Sequence, residues 1–175
     1  MQRNVARLLI IAFFLGFCSP CIWGRTAVEL SSVRLYLPDS ELHRRLGDDA
    51  TPLADYIKTL VRITKEYWKK KSPEPEAKGL FIAVGIKPGK RSRIWCDAVN
   101  GKIPPGTLAE LEKVLSEVPA IDVREGPMAF AIEIRLGTRT VKEFPMFPAA
   151  WSEAIKKSGD QFTIPDGLFK IIWPD

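Results

Sequence analysis

Three runs in which apolar side chains recur at every second position constrain this chain most. Leu80 to Lys87 reads LFIAVGIK, with Leu80, Ile82, Val84 and Ile86 on one face and Phe81, Ala83 and Gly85 on the other. Arg91 to Val99, RSRIWCDAV, sets Ile94, Cys96 and Ala98 against Arg93, Trp95 and Asp97. Met128 to Leu136, MAFAIEIRL, aligns Met128, Phe130, Ile132, Ile134 and Leu136, with Glu133 and Arg135 opposite. Successive side chains of a strand point to opposite faces, so a period of two predicts a strand in each run. Lys87-Pro88-Gly89-Lys90 joins the first two as a hairpin turn, because proline presets one dihedral and glycine supplies a positive φ. The small residues on the second face of the first run leave room for a close neighbour.

The spacing changes elsewhere. After the Asn100-Gly101 turn, Pro104-Pro105-Gly106-Thr107 leads into a helix with Leu108, Leu111, Leu115 and Val118 on its buried stripe. Glu110, Glu112, Lys113 and Glu117 mark its wet side, and Pro119 ends it. Upstream, residues 51–71 form a longer amphipathic helix, with Leu53, Ile57, Leu60, Thr64, Tyr67 and Trp68 at three- and four-residue steps. Pro52 suits its first turn, and Asp49 or Thr51 can accept from its free amides. Val33, Leu35 and Leu37 alternate with Arg34 and Tyr36 as a first strand, which Pro38-Asp39-Ser40 stops; HRRLGDDA then reads as loop. Glu143 to Pro148 is a proline-broken apolar strip expected to lie over the core. Residues 148–157 read as a short helix with Trp151 and Ile155 on one side. Phe162 to Ile164 and Leu168 to Trp173 read as short strands around Pro165-Asp166-Gly167. The terminal FKIIWPD is too apolar to be left in water and is expected to dock. The sum is an α+β fold: a two-layer sandwich with a small antiparallel sheet (β-β-α-β core), an added N-terminal amphipathic helix and a short C-terminal helix/strand extension.

The order strand, strand, helix, strand over residues 79–137 resembles the C-terminal domain of the TonB energy-transducing family. The matching pieces are Gly79 to Ile86, Pro88-Gly89, Ile94 to Val99, Leu108 to Leu115 and Ala129 to Leu136, about a third of the chain. The resemblance implies a fold. The family's proline-rich stalk has no counterpart, since Ser72 to Ala77 is far too short, so transduction to an outer-membrane receptor does not carry over and neither does any functional residue.

The N-terminus carries an address. Arg3 and Arg7 precede the apolar run Leu8 to Phe17, and Cys18-Ser19-Pro20-Cys21 breaks it before Gly24. A positive region, a short apolar core and a small-residue exit form the layout of a secretory signal peptide. A spanning helix needs roughly 20 apolar residues, more than this run has. The expected organisation is a signal peptide at 1–24, an N-terminal strand and loop at 25–50, the amphipathic helix at 51–71 and the main domain with its extension at 79–175. The mature protein is then periplasmic or extracellular; the alternative is an uncleaved leader holding it at the inner membrane. Removing 1–24 lowers the net charge from +5 to +3, too little and too scattered for a nucleic-acid interface. Lys69-Lys70-Lys71 falls at the end of the long helix, where it complements the dipole. Cys18 and Cys21 leave with the leader, and Cys96 reads as a small buried apolar group.

No catalytic constellation stands out. His43, the chain's single histidine, lies in a loop between arginines without a marked nucleophile or carboxylate partner. One histidine and one mature cysteine do not make the usual zinc site, so neither a metal nor a cofactor is expected. Asp48-Asp49 reads as capping, Glu110 and Glu112 as helix surface, and Glu74 and Glu76 as linker. Asp97 and Glu133 are expected to pair across strands with Arg93 and Arg135. Trp95, with Arg93 beside it, forms a candidate interface together with Arg135 if the second sheet face is open; the alternative is that a helix or the tail covers Trp95. The function expected is an exported, non-enzymatic protein-binding or envelope-assembly domain, meeting an envelope partner by sheet-edge contact and a membrane only through an uncleaved leader. The alternatives are an exported carboxylate-dependent hydrolase and a structural envelope protein tethered by that leader.

Overall fold

The computed structural model describes residues 27–71, 74–158 and 165–175. Their elements are β1 (Val28–Leu35), α1 (Asp39–Leu46), α2 (Thr51–Lys69), β2 (Gly79–Lys87), β3 (Arg91–Val99), α3 (Pro105–Ser116), β4 (Met128–Leu136), α4 (Ala149–Ser158) and α5 (Asp166–Ile172). The strands form one antiparallel sheet in the order β1-β4-β2-β3. The fold is α+β, as the pattern of alternating runs and helical stripes implies. β2 is central, with Ile82 opposite both Cys96 of β3 and Ile132 of β4.

One sheet face meets α2 and α3. Leu80, Ile82, Val84 and Ile86 pack there with Ile94, Cys96, Phe130, Ile132 and Ile134 against Tyr56, Leu60 and Trp68 of α2 and Leu111 and Leu115 of α3. Tyr56 meets Phe130 edge-on at 6.3 Å, a geometry that suits the ring quadrupoles. Asp49 Oδ1 accepts the Thr51 N–H at 2.8 Å at the start of α2.

The opposite face carries a second, separate cluster of Phe81, Ala83, Trp95, Ala129 and Ala131, covered by Trp151 of α4 and by Leu168 and Phe169 of α5. Phe144 and Phe147 of the proline-broken strip pack against it. Gly85 makes the fit possible, because a Cβ there would lie 2.6 Å from the Phe169 ring. The C-terminal extension thus adds a third layer to the β-β-α-β sandwich.

Two local expectations are corrected. The stop at Asp39-Ser40 and the first half of HRRLGDDA, residues 43–46, expected as loop, belong to α1. Leu42 and Leu46, four apart, pack against the main core, and Arg45, buried and braced by Glu41 one turn earlier, ties the helix to Asp166 at 2.8 Å and to the Pro127 carbonyl. Eight residues are too few for a stripe to register in sequence, and tertiary contacts hold such a helix. Residues 168–173, expected as a strand, lie in and just beyond α5, because a short apolar run does not distinguish strand from buried helix. The expected strand at 162–164 and the leader at 1–24 lie outside the described residues. β1 also starts earlier than expected, at Val28 rather than Val33.

Candidate interaction surface

An antiparallel sheet ends in two edge strands whose outward N–H and C=O groups must be hydrated, covered or paired. Here the edges are treated differently. Along β3 the Cys96 N–H donates to Glu112 Oε1 of α3 at 2.7 Å. One strand residue on, Asp97 Oδ2 accepts the Ala149 N–H at 2.6 Å and ties the start of α4 to the same strand. Burial, reinforced by nearby Asp97, raises the Glu112 carboxyl above its ordinary value despite the N–H it accepts. A helix side chain therefore occupies an outward amide at the middle of this edge, where an incoming strand would have to bond.

β1 is bonded only to β4 among the described residues. The Gly137 N–H donates to Ala27 O at 2.7 Å and the Tyr36 N–H donates to Ala129 O at 3.2 Å, which aims the main chain of Ala27 and Tyr36 at β4. Alternation then aims Glu29, Ser32 and Arg34 inward and Val28, Leu30, Val33 and Leu35 outward. The register shifts between Leu30 and Ser32, skipping Ser31 as a bulge. That shift puts Val28, Leu30, Val33 and Leu35 on one sheet face, opposite Leu136, Ile134, Ile132 and Phe130 of the helix-side core. α2 covers this row only in part: Leu30 remains 39% exposed, Val33 37% and Leu35 39%.

The other face of β1 is charged. Arg34 Nη2 meets Glu133 Oε1 at 2.5 Å, Ser32 Oγ donates to Glu133 Oε2 at 2.5 Å, and Arg34 Nη1 donates to Pro145 O at 2.9 Å. Glu133 is buried, and a buried carboxylate needs such partners. Arg135 Nη2 lies 2.9 Å from Glu29 Oε1. These contacts correct the expected pairing of Asp97 and Glu133 with Arg93 and Arg135. β2 separates β3 from β4, so the β4 charges find their partners on β1.

The three candidate interface residues do not form one surface. Trp95 is buried under the tail, edge-on to Trp151 at 5.2 Å and to Trp173 at 6.5 Å. Arg93 lies over the Trp95 ring at 5.2 Å and donates to Ile172 O at 2.9 Å, so it clasps α5. Arg135 stands on β4 beside the open edge. Sequence reasoning missed Glu112, whose helix position reads as solvent-facing, and Glu29 and Arg34. The alternation of Val28, Glu29 and Leu30 was the available signal for an earlier strand start.

The remaining chemistry is ordinary. His43 Nε2 lies 2.7 Å from Asp48 Oδ1, both well exposed. Burial first, then Glu112 and Asp97, pushes the Cys96 thiol well up, away from nucleophilic character. Glu110 is held below its ordinary value by Lys71 and the Tyr67 hydroxyl. Among the described residues, no group of three His, Cys, Asp or Glu side chains could hold a metal ion, and no helix is long and apolar enough to cross a membrane. A concavity of about 680 Å³ opens between the end of α2 and the 100–104 loop, lined by Trp68, Lys71, Glu76, Lys102, Ile103 and Pro104. Its back wall requires Gly101, since a Cβ there would lie 2.6 Å from Ala77 Cα.

No protein-family model matches the chain, and neither a curated protein nor a solved structure gives a significant match. What the fold and the surface define, among the described residues, is an antiparallel sheet clad by helices on both faces, with an amide capped at one edge and the other edge open.

Proposed function

We propose that this protein is an exported, non-catalytic contact domain that meets other envelope proteins by accepting a strand at the β1 edge. The observation that carries the reading is the asymmetry of the two edges. Glu112 occupies the outward amide of Cys96 on β3, whereas β1 offers outward main-chain groups flanked by a half-exposed apolar row. Main-chain hydrogen bonds supply affinity in strand addition, and alternate side chains supply specificity. Export rests on the N-terminal layout of charge, apolar run and small-residue exit.

Val33→Pro provides the test. The Val33 N–H faces outward, so proline there removes a donor needed by an incoming strand and leaves the β1–β4 ladder bonded. The full chain, cross-linked in its own envelope fraction, is expected to join a defined protein through β1 residues. Val33→Pro should cut that product at least tenfold while melting within a few degrees of the parent. Cross-links that map elsewhere, or that persist undiminished in Val33→Pro, overturn the reading.

A further inference from the structure

The residues of β1 form an inverted self-complementary series. Read forward, Val28 to Leu35 runs Val-Glu-Leu-Ser-Ser-Val-Arg-Leu. Laid antiparallel on a second copy about a dyad between Ser31 and Ser32, Val28 faces Leu35, Glu29 faces Arg34, Leu30 faces Val33 and Ser31 faces Ser32. Apolar side chains meet apolar ones, acid meets base and hydroxyl meets hydroxyl. From this we infer that the strand accepted at the β1 edge is β1 of a second copy, giving a two-fold dimer with one continuous eight-stranded sheet. The inference rests on the strand-addition reading and names its partner.

The backbone supports the same register. The outward-facing residues are Val28, Leu30, Val33 and Leu35, and the dyad pairs Val28 with Leu35 and Leu30 with Val33. Every outward group therefore meets an outward group, as hydrogen-bonded antiparallel pairs require. The bulge at Ser31 makes this work. In a regular strand Val28 and Leu35 would lie on opposite faces, and a dyad normal to the sheet could not bring them together. The skipped residue restores them to one face, and the gap between Leu30 and Val33 meets the same gap in the second copy. A slip of one residue either way sets Glu29 against Val33 or Leu35, and turns outward groups onto inward ones.

The charges extend the argument across four strands. In one protomer Arg135 pairs with Glu29, and in the other Arg34 pairs with Glu133. Placing Glu29 beside the second copy's Arg34 makes a row of alternating sign: Arg135, Glu29, Arg34, Glu133. By symmetry the row occurs twice. On the helix side, the exposed faces of Leu30, Val33 and Leu35 cover their counterparts. An isologous interface needs this kind of self-complementarity.

Sedimentation of the full chain in a mild non-ionic detergent tests the pairing. A concentration-dependent monomer–dimer equilibrium is expected. Glu29→Lys, at an exposed position, sets a cation against Arg34 in each of the two symmetric pairs and should raise the dissociation constant at least tenfold, with a melting temperature equal to the parent's at concentrations where both are monomeric. Arg34→Lys keeps the charge and permits a zero-length carbodiimide cross-link. In a mixture of light and nitrogen-15-labelled chains, a mixed-isotope peptide joining Glu29 to Lys at position 34 is the expected product. A chain that is monomeric at all concentrations, or a dimer insensitive to Glu29→Lys and lacking that cross-link, overturns the self-pairing. If such a chain still cross-links through β1 to another protein in a Val33→Pro-sensitive way, strand addition stands and only its partner changes. If neither product forms, both readings fall.

Discussion

At the residue scale, Glu112 does the least expected work. Its place in a run of Glu110, Glu112 and Lys113 marks it as helix surface, yet it reaches the Cys96 amide at the β3 edge. Its carboxyl is raised by burial first and by Asp97. A raised carboxyl favours the protonated form in the native state. The stability it confers is therefore fully present below the ordinary glutamate pKa, about 4.3, and is lost as pH rises through the higher native value. Glu112→Gln keeps an oxygen acceptor for the Cys96 N–H and removes the titration. Urea unfolding should find it within about 1 kcal/mol of the parent at pH 7, with a flatter pH profile above pH 4. Glu112→Ala should cost about 1–3 kcal/mol by leaving a part-buried amide without an acceptor. It should also free the second edge, so concentration-dependent oligomers larger than a dimer are expected from light scattering. A Gln variant that retains the parent's pH slope would assign that slope to another group.

At the element scale, legibility followed periodicity. β2, β3, β4, α2 and α3 carry long uninterrupted patterns, and their positions were readable to within a few residues. The elements that escaped are short or have their apolar residues supplied with neighbours from far along the chain. α1 depends on Arg45 reaching Asp166, 121 residues away. α5 is helical because Leu168 and Phe169 must both enter the cluster under Trp95, a requirement that the seven-residue sequence does not itself state. The candidate surface was legible only as chemistry, a sheet edge, since strand order decides which strand lies there. Docking of α5 has its own test. Phe169→Ala should cost about 3–5 kcal/mol by opening a cavity over Gly85. Gly85→Ala should repair part of that loss in the double variant, because the added methyl enters the vacated space. Chemical denaturation of the two single variants and the double variant measures this coupling, and strictly additive losses would show that Phe169 does not rest on Gly85.

At the scale of the whole molecule, two apolar clusters share one sheet. Alternate residues of β2 belong to different clusters: Leu80, Ile82, Val84 and Ile86 to the α2/α3 side, Phe81 and Ala83 to the α4/α5 side. Neither cluster can melt without moving side chains whose neighbours along the same backbone anchor the other. The tail is also tied to the sheet by charge, with Lys87 Nζ 2.6 Å from Trp173 O and 3.0 Å from Asp175 Oδ1. Two cores divided by a single layer of strands should therefore unfold as one unit. Leu111→Ala, which removes a fully buried side chain from the helix-side core, should cost about 2–5 kcal/mol. Hydrogen exchange should record that loss equally in α2, which touches the altered cluster, and in α4, which lies across the sheet from it. Loss confined to α2 would mean that α4 and α5 form a separately stable lid. Equal loss in both would mean that the sheet transmits the damage through its full thickness. In a dimer continuous through β1, the same coupling would reach the second copy, and the melting temperature of the parent would rise with protein concentration while that of Glu29→Lys stayed constant.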